Sequence, residues 1–336
     1  MDTLAVMTSI AAQTGVLGSV ASLAILRSRF HPLFFLYYLL LLIDDRPFKQ
    51  AGAPIDAWRR SRLWKLYSEF FSATLIKTVD IGPDDGPYIF GVHPHGILAL
   101  SAPAMFGSEA TGFADKFPGI DLRVAVVNFA FYMPIAREVA MACGCISADR
   151  ESVVAAMDRG KSVAIYVGGA DEALLAGNPS QFGVILSKRT GFVKIAMERG
   201  ASLVPCITFG EHETYSQVFR PFIRKCQVQL MKMCGFSLPV FKPNYLVPLM
   251  PRRVKMTTIV GTPIKTTRLA ASDPRFEAAV AETHQQYIEA LMRLHAEHRE
   301  KYGSAAEQKL EVLEAGHARQ LTSRLYPILA FINTTI

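Results

Sequence analysis

Between residues 87 and 263 short β-rich runs recur at Tyr88–Val92, Leu122–Val127, Ser162–Val167, Leu203–Phe209 and Val254–Gly261. Helical patterns lie between several of them, at Ile97–Phe106, Pro134–Ala142, Ser152–Arg159 and Gly191–Arg199. Runs apolar on both faces that alternate with helices predict an α/β fold, a largely parallel sheet flanked by helices on both sides. In such sheets ligands bind beyond the C-terminal strand ends. Pro274–Tyr302 then reads as a long amphipathic helix with Phe276, Val280, Tyr287, Leu291 and Leu294 on its apolar stripe. His284, His295 and His298 fall on or near that stripe, where packing or a solvated edge is commoner than a metal site. No repeat or low-complexity linker interrupts the chain.

At the end of the first of these strands stands His93-Pro94-His95-Gly96. Two imidazoles two residues apart on extended backbone are expected on one face. Pro94 fixes its own φ and holds His93 extended, and Gly96 lets the chain turn sharply. A neutral imidazole at a strand end, facing the N-terminus of the Ile97–Phe106 helix, is placed to take a proton from an alcohol. The plainer reading is a pair of strand-end histidines satisfied by nearby carbonyls. The rigid pair beside a glycine favours catalysis.

Half of the 336 residues are hydrophobic and the net charge is +7. That balance suits an anionic membrane or a phosphorylated substrate. No zinc-finger, RNA-recognition or basic-zipper pattern is present, so nucleic acid is not an expected partner. The five cysteines at 143, 145, 206, 226 and 234 are odd in number and lack C-x₂-C spacing, which reads as reduced thiols facing a cytosol. Much of the hydrophobicity is N-terminal. Leu4–Leu26 carries no charge and is long enough to span a hydrocarbon core, and Leu33–Ile43 is a second apolar run. A cleaved signal would have a basic start and a shorter apolar stretch, so a retained anchor is expected, either one span or a helical hairpin. Arg27 and Arg29 pull one loop, and Arg59, Arg60, Arg62 and Lys65 the next, toward the same side, which leaves orientation open. Trp58–Phe71 mixes basic and aromatic residues, either as a helix on a membrane surface or as one packed across the globular domain. Leu321–Ile332, interrupted by Pro327, reads as a docking tail. The expected organisation is a membrane anchor over 1–46, a basic-aromatic membrane-surface segment over 47–86, a catalytic domain over 87–303, and a C-terminal helix with an apolar tail over 304–336.

Absences narrow the chemistry. No G-x-S-x-G elbow is present for a serine acyl-enzyme, and no G-x-G-x-x-G follows a strand. Gly160-Lys161-Ser162 resembles the end of a P-loop, but Ala155 stands where the first glycine belongs. His-x-His lacks a third metal ligand at recognisable spacing, so no metal is expected. An imidazole base without a nucleophile of its own suits direct transfer to an alcohol.

Tyr88-Ile89-Phe90-Gly91-Val92-His93-Pro94-His95-Gly96 closely resembles the signature of the type-2 diacylglycerol acyltransferases, a family that includes monoacylglycerol and wax-alcohol acyltransferases. The resemblance continues through Asn128–Arg137 with Met133-Pro134, through Gly168-Gly169-Ala170-Asp171-Glu172, through Arg189–Ala196 and through Phe209-Gly210-Glu211, ending near Val260–Ile264 and the long helix. It covers roughly residues 4–303. It implies a membrane enzyme of the endoplasmic reticulum or lipid droplet, its catalytic domain facing the cytosol, that moves an acyl group from acyl-CoA to diacylglycerol. It also implies the core fold of the wider glycerolipid acyltransferases. Those relatives carry H-x₄-D, whereas here the fifth residue after His95 is Leu100 and after His93 is Leu98. Any relay carboxylate must therefore come from elsewhere, and Glu172 is the candidate, unless it only caps the following helix. Family members that lack the first histidine of the motif make His95 the base and His93 auxiliary.

In the resulting mechanism His95 deprotonates the acceptor hydroxyl as it attacks the thioester, with no acyl-enzyme and no cofactor beyond the substrate acyl-CoA. Backbone N–H groups at Gly96–Ile97, or at Gly168–Gly169, would hold the oxyanion. Arg150, Lys188, Arg189 and Lys194 are the candidate cations for the CoA phosphates, each of them otherwise an ordinary surface charge. The expected partners are acyl-CoA, diacylglycerol or a related lipid alcohol, and the bilayer; homo-oligomerisation is left open. The rivals are acylation of monoacylglycerol, a wax alcohol or a sterol, and, in another class, an inactive membrane-anchored lipid-binding protein. The intact His93–Gly96 and Gly168–Glu172 motifs argue against the latter.

Overall fold

The computed structural model of the chain describes residues 1–13, 22, 31–43, 48–49, 51–83, 86–176, 182–217, 222–223, 226–229, 240 and 250–314. Seven strands form one sheet: β1 Thr74–Lys77, β2 Tyr88–His93, β3 Leu122–Val126, β4 Cys145–Ser147, β5 Ser162–Tyr166, β7 Ser202–Phe209 and β8 Thr257–Val260. Their order is β1-β8-β7-β2-β5-β3-β4. Every neighbouring pair is parallel except β7–β8, so β1 and β8 run against the rest. A second, two-stranded parallel sheet joins β6 Phe182–Ile185 to β9 Leu310–Leu313. The expected largely parallel α/β sheet is present, with a mixed edge.

β2 lies at the centre between β7 and β5, buried along its whole length, as expected of a strand covered on both faces. Its side chains alternate. Tyr88, Phe90 and Val92 enter one core with Trp64, Tyr67, Phe71, Phe106 and Phe117. Ile89 enters the other, built by Arg150–Met157, Gly191–Arg199 and the long helix Phe276–Tyr302 with its Val280, Tyr287 and Leu291. The short strands β1 and β4 went unread in the sequence because three or four residues carry too little periodicity. The helix expected over Ile97–Phe106 is shorter: residues 96–98 form a turn, Ala99 has a φ of 50°, and helical structure starts at Ser101.

The N-terminal helix Asp2–Gln13 docks on the globular domain. Val6, Ser9 and Ile10 are buried, and the helix packs against Arg62–Phe70 and Ala136–Ala142. Arg62–Phe70 in turn buries Trp64, Tyr67 and Phe70. Trp58, Trp64, Tyr67 and Phe71 form an edge-to-face chain with centroid spacings of 5.8, 5.9 and 5.2 Å. Full burial of such a side chain stabilises the fold by roughly 1.5–3 kcal/mol. These rings fill the core, as in a helix packed across the globular domain, while Arg60, Arg62 and Lys65 remain exposed. His31–Ile43 is a helix that exposes Leu33, Phe35, Leu36, Leu39, Leu40 and Ile43. Among the described residues no helix is long and apolar enough to cross a membrane. The remainder of Leu4–Leu26, with Arg27 and Arg29, and the tail Leu321–Ile332 lie outside the described residues.

The catalytic domain does not stop at 303. A capped turn at Ala305–Glu307 leads into β9, which pairs with β6, where a C-terminal helix was expected. Among the described residues the cysteines at 143, 145, 206 and 226 are free.

Candidate active site

The parallel strands β2, β5 and β7 end at one rim of the sheet, and the site is assembled there. In register, Val92 lies opposite Tyr166 of β5 and His93 opposite Ile207 of β7. The chain leaves β2 at His93, β5 into Gly168–Ala173, and β7 into Gly210-Glu211.

The two histidines do not share a face, contrary to the sequence expectation. β2 ends at His93 and Gly96 turns at a φ of 66°, so the alternation of a strand no longer governs His95. His93 is fully buried toward the long helix, its Nε2 3.1 Å from the Tyr287 hydroxyl. That hydroxyl donates to the Gly91 carbonyl at 3.0 Å, so His93 carries its proton on Nε2 and donates to Tyr287. Its Nδ1 is buried without a partner, and burial pulls the ring down to about 3. His93 is therefore neutral and locked.

His95 stands on the other side, partly exposed, edge-on to Tyr166 with ring centroids 6.0 Å apart. Its Nδ1 is 3.0 Å from the Gly96 carbonyl oxygen. A carbonyl can only accept, so Nδ1 bears the proton and Nε2 presents its lone pair. Burial lowers the ring below its ordinary value, against the Gly96 bond, which raises it. The group that sets the tautomer is a backbone carbonyl. The carboxylate relay expected from Glu172 is absent.

Glu172 has another task. It is 1 % exposed, and its Oε1 accepts the backbone N–H of His95 while Oε2 accepts that of Ile185 at 2.7 Å. It makes no hydrogen bond to the His95 ring and does not cap its own helix; it staples the turn after β2 to the end of β6. Burial pushes its carboxyl up to about 7, and the two amides and Arg189 act against that rise. A Cβ on Gly168 would overlap this carboxylate, which explains the glycine.

A second buried carboxylate, Glu211, accepts the N–H groups of Leu100 at 2.9 Å and Ser101 at 2.7 Å. The first amides of the helical turn are thereby occupied, and the expected oxyanion site at a helix N-terminus is instead a tight turn. Gly96 and Ile97 lie in it between the two carboxylates, their N–H groups taken by neither. A Cβ on Gly96 would stand 2.5 Å from Glu211 Cγ. Gly169 opens the short helix after β5 into free space.

The four candidate phosphate ligands each engage a carboxylate. Arg150 pairs with Glu198, Lys188 with Glu314 at 3.0 Å, Arg189 with Asp171 at 3.0 Å and Lys194 with Glu277 at 2.7 Å. Arg189 alone is placed by these contacts beside the Glu172 staple. His284 and His295 are buried packing residues, His295 Nε2 lying 2.7 Å from the Glu307 carbonyl. Among the described residues no three His, Cys, Asp or Glu side chains converge as a metal site. Sequence reasoning missed Tyr287, read only as core, and the role of Glu211. The isolated Gly91 in an apolar strand was the usable signal for the first, because such a glycine marks a close approach.

An imidazole with a free Nε2 beside uncommitted backbone amides is equipment for acyl transfer, and the mixed α/β sheet presents it at the strand-end rim: the molecule is of the acyltransferase class. A family model described as "Diacylglycerol acyltransferase" matches residues 23–313, and the chain belongs to that family. It is 36% identical to "Diacylglycerol O-acyltransferase 2A" of Umbelopsis ramanniana over 83% of this chain and 81% of that protein. It is 38% identical to "2-acylglycerol O-acyltransferase 1" of Homo sapiens, over 81% and 84%. It is 35% identical to "Acyl-CoA wax alcohol acyltransferase 1" of Mus musculus, over 83% and 86%. Among solved structures, the 1-acyl-sn-glycerophosphate acyltransferase PlsC of Thermotoga maritima aligns over 86% of this chain and 95% of its own at 11% identity, with a TM-score of 0.37.

Proposed function

We propose that the protein transfers a fatty acyl group from acyl-CoA to the free hydroxyl of diacylglycerol, giving triacylglycerol and CoA. The carrying observation is the His95 tautomer: Nδ1–H on the Gly96 carbonyl leaves Nε2 bare to accept the alcohol proton. The alkoxide oxygen attacks the thioester carbonyl, the C–S bond breaks, and the proton taken by His95 is returned to the CoA thiolate. The oxyanion is held by the Gly96 and Ile97 amides in the turn beside the base. The lowered basicity of the partly buried ring keeps it neutral at neutral pH, ready to act without first losing a proton.

The same reading puts the protein at the endoplasmic reticulum membrane or lipid droplet, its catalytic domain toward the cytosol. Free cysteines suit a reducing compartment. The uncharged, exposed face of His31–Ile43 suits lipid contact, and the helix touches the Asn128–Tyr132 turn that follows β3 on the site rim. A lipid acceptor would then reach His95 from the bilayer.

Relatives with three different acceptors make the acceptor the point to test. Membranes carrying the protein are incubated with labelled acyl-CoA and diacylglycerol, monoacylglycerol, a long-chain alcohol or a sterol, and products are resolved by chromatography. Labelled triacylglycerol from diacylglycerol is expected. A preference for another acceptor would reassign the substrate, and no ester from any of them would favour an inactive lipid-binding protein.

A further inference from the structure

Beyond the base and its turn, the buried network behind them converges on one carboxylate. We propose that Glu211 is the positioning residue that couples the oxyanion turn to the ring wall of His95. The inference rests on the acyl-transfer reading above.

Glu211 is fully buried just past the end of β7. Its backbone is fixed first: Gly210 turns at a φ of 88° and donates its N–H to Glu307 Oε1 at 2.8 Å. The side chain then reaches across the rim beneath Gly96. Its two oxygens take the Leu100 and Ser101 amides, and Tyr67 donates its hydroxyl to the Leu100 carbonyl at 2.8 Å. Both polar groups of the Leu100 residue are thus held, and the turn that presents Gly96 and Ile97 cannot relax. A second arm leads to the base. Glu211 holds Ser101 by its backbone N–H, which places the serine hydroxyl. Ser101 Oγ and the Tyr166 hydroxyl share a hydrogen bond at 2.8 Å. Tyr166 is the ring against which His95 stands edge-on. One side chain therefore fixes the donors for the oxyanion and, through Ser101 and Tyr166, the plane of the base. A displacement of about 1 Å in such a constellation costs on the order of 10²-fold in rate.

The test is a double-mutant cycle on Glu211→Gln and Tyr166→Phe, read as kcat and as KM for acyl-CoA, with hydrogen exchange of the 96–102 segment measured on the same proteins. Gln keeps the size but must turn an NH₂ toward one of the two amide donors. Glu211→Gln should lower kcat about 10²-fold with KM within about threefold. Tyr166→Phe should cost less, and the double variant should be no slower than Glu211→Gln alone, because Tyr166 acts through Ser101 and Glu211. Exchange at 96–102 should rise in Glu211→Gln while the sheet stays protected. Losses that multiply in the double variant, or kcat within threefold of wild type, would overturn the proposal. If Glu211→Gln does not fold, Ser101→Ala with Tyr166→Phe closes the same cycle, and multiplied losses overturn it there too. Silence of the wild-type chain with every acceptor counts against acyl transfer, while exchange at 96–102 still decides what Glu211 holds.

Discussion

His93 Nε2 and the Tyr287 hydroxyl meet 3.1 Å apart, 194 residues apart in sequence, and the tyrosine passes its own proton to Gly91 on the same strand. This contact ties the long C-terminal helix to the central strand at the level of the site. It also removes His93 from proton chemistry, because the remaining ring nitrogen, Nδ1, is buried and unpaired.

Substituting the two histidines should therefore have different consequences. His95→Ala should abolish ester formation by about 10²–10⁴-fold with little change in thermal stability. His93→Ala should lower the melting temperature and reduce turnover less. Parallel melting curves and acyl-transfer rates check both, and near-normal turnover by His95→Ala would remove it as the base.

Glu172→Gln should act on geometry. The amide can accept one of the His95 and Ile185 N–H groups but offers a donor to the other, so the His95 backbone should shift. A kcat loss of about 10–10²-fold is expected, with the acid limb of the pH–rate profile left at the wild-type position, since the carboxylate does not touch the ring. A limb displaced by the substitution would restore Glu172 as an electrostatic partner of His95.

The same residue makes a pH-dependent contribution to stability. Its carboxyl is at about 7 in the fold against an ordinary 4.5, through burial. The folded state thus holds a proton that the unfolded state has released between those values, and this stabilising contribution is fully present below pH 4.5 and lost as pH rises through 7. At about 1.4 kcal/mol per unit the swing is roughly 3 kcal/mol. The melting temperature of Glu172→Gln relative to wild type should accordingly rise between pH 5 and 8. A difference independent of pH would show that the buried carboxyl ionises normally.

Removing residues 1–43 should destabilise the catalytic domain. Val6 and Ile10 lie in the same core as Trp64 and Tyr67, so the truncation uncovers apolar surface of the catalytic domain. Aggregation, or a melting temperature lowered by several degrees, is expected for the truncated chain in detergent. Val6→Asp in the full-length protein should reproduce part of the loss, because it buries an unpaired charge at the same contact. An unchanged melting temperature for both would mean that the first helix adds nothing to the stability of the domain.

Much of this protein is written locally. The apolar runs at 88–92, 162–167 and 203–209 and the helix at 191–199 can be read directly, because strands buried on both faces and amphipathic helices leave a periodic imprint on the residues that form them. The histidine pair at the end of β2 could be read as well, from a strand end, a proline and a glycine, whereas the preference for His95 over His93 came from the family resemblance. The tertiary structure decided what each carboxylate does. Glu172 and Glu211 both sit beside glycines in short motifs, and nothing local distinguishes a ring partner from a clamp on backbone amides. That depends on where the short helix after β5 and the end of β7 meet the turn after β2, from which they lie 77 and about 110 residues away in the chain. The same holds for the aromatic segment at 58–71, whose composition fits a membrane surface and a protein core equally well. Its destination was settled by the helix Asp2–Gln13 and the sheet that close over it. Periodicity reports which side of an element is apolar, whereas only the packed fold determines what that side meets.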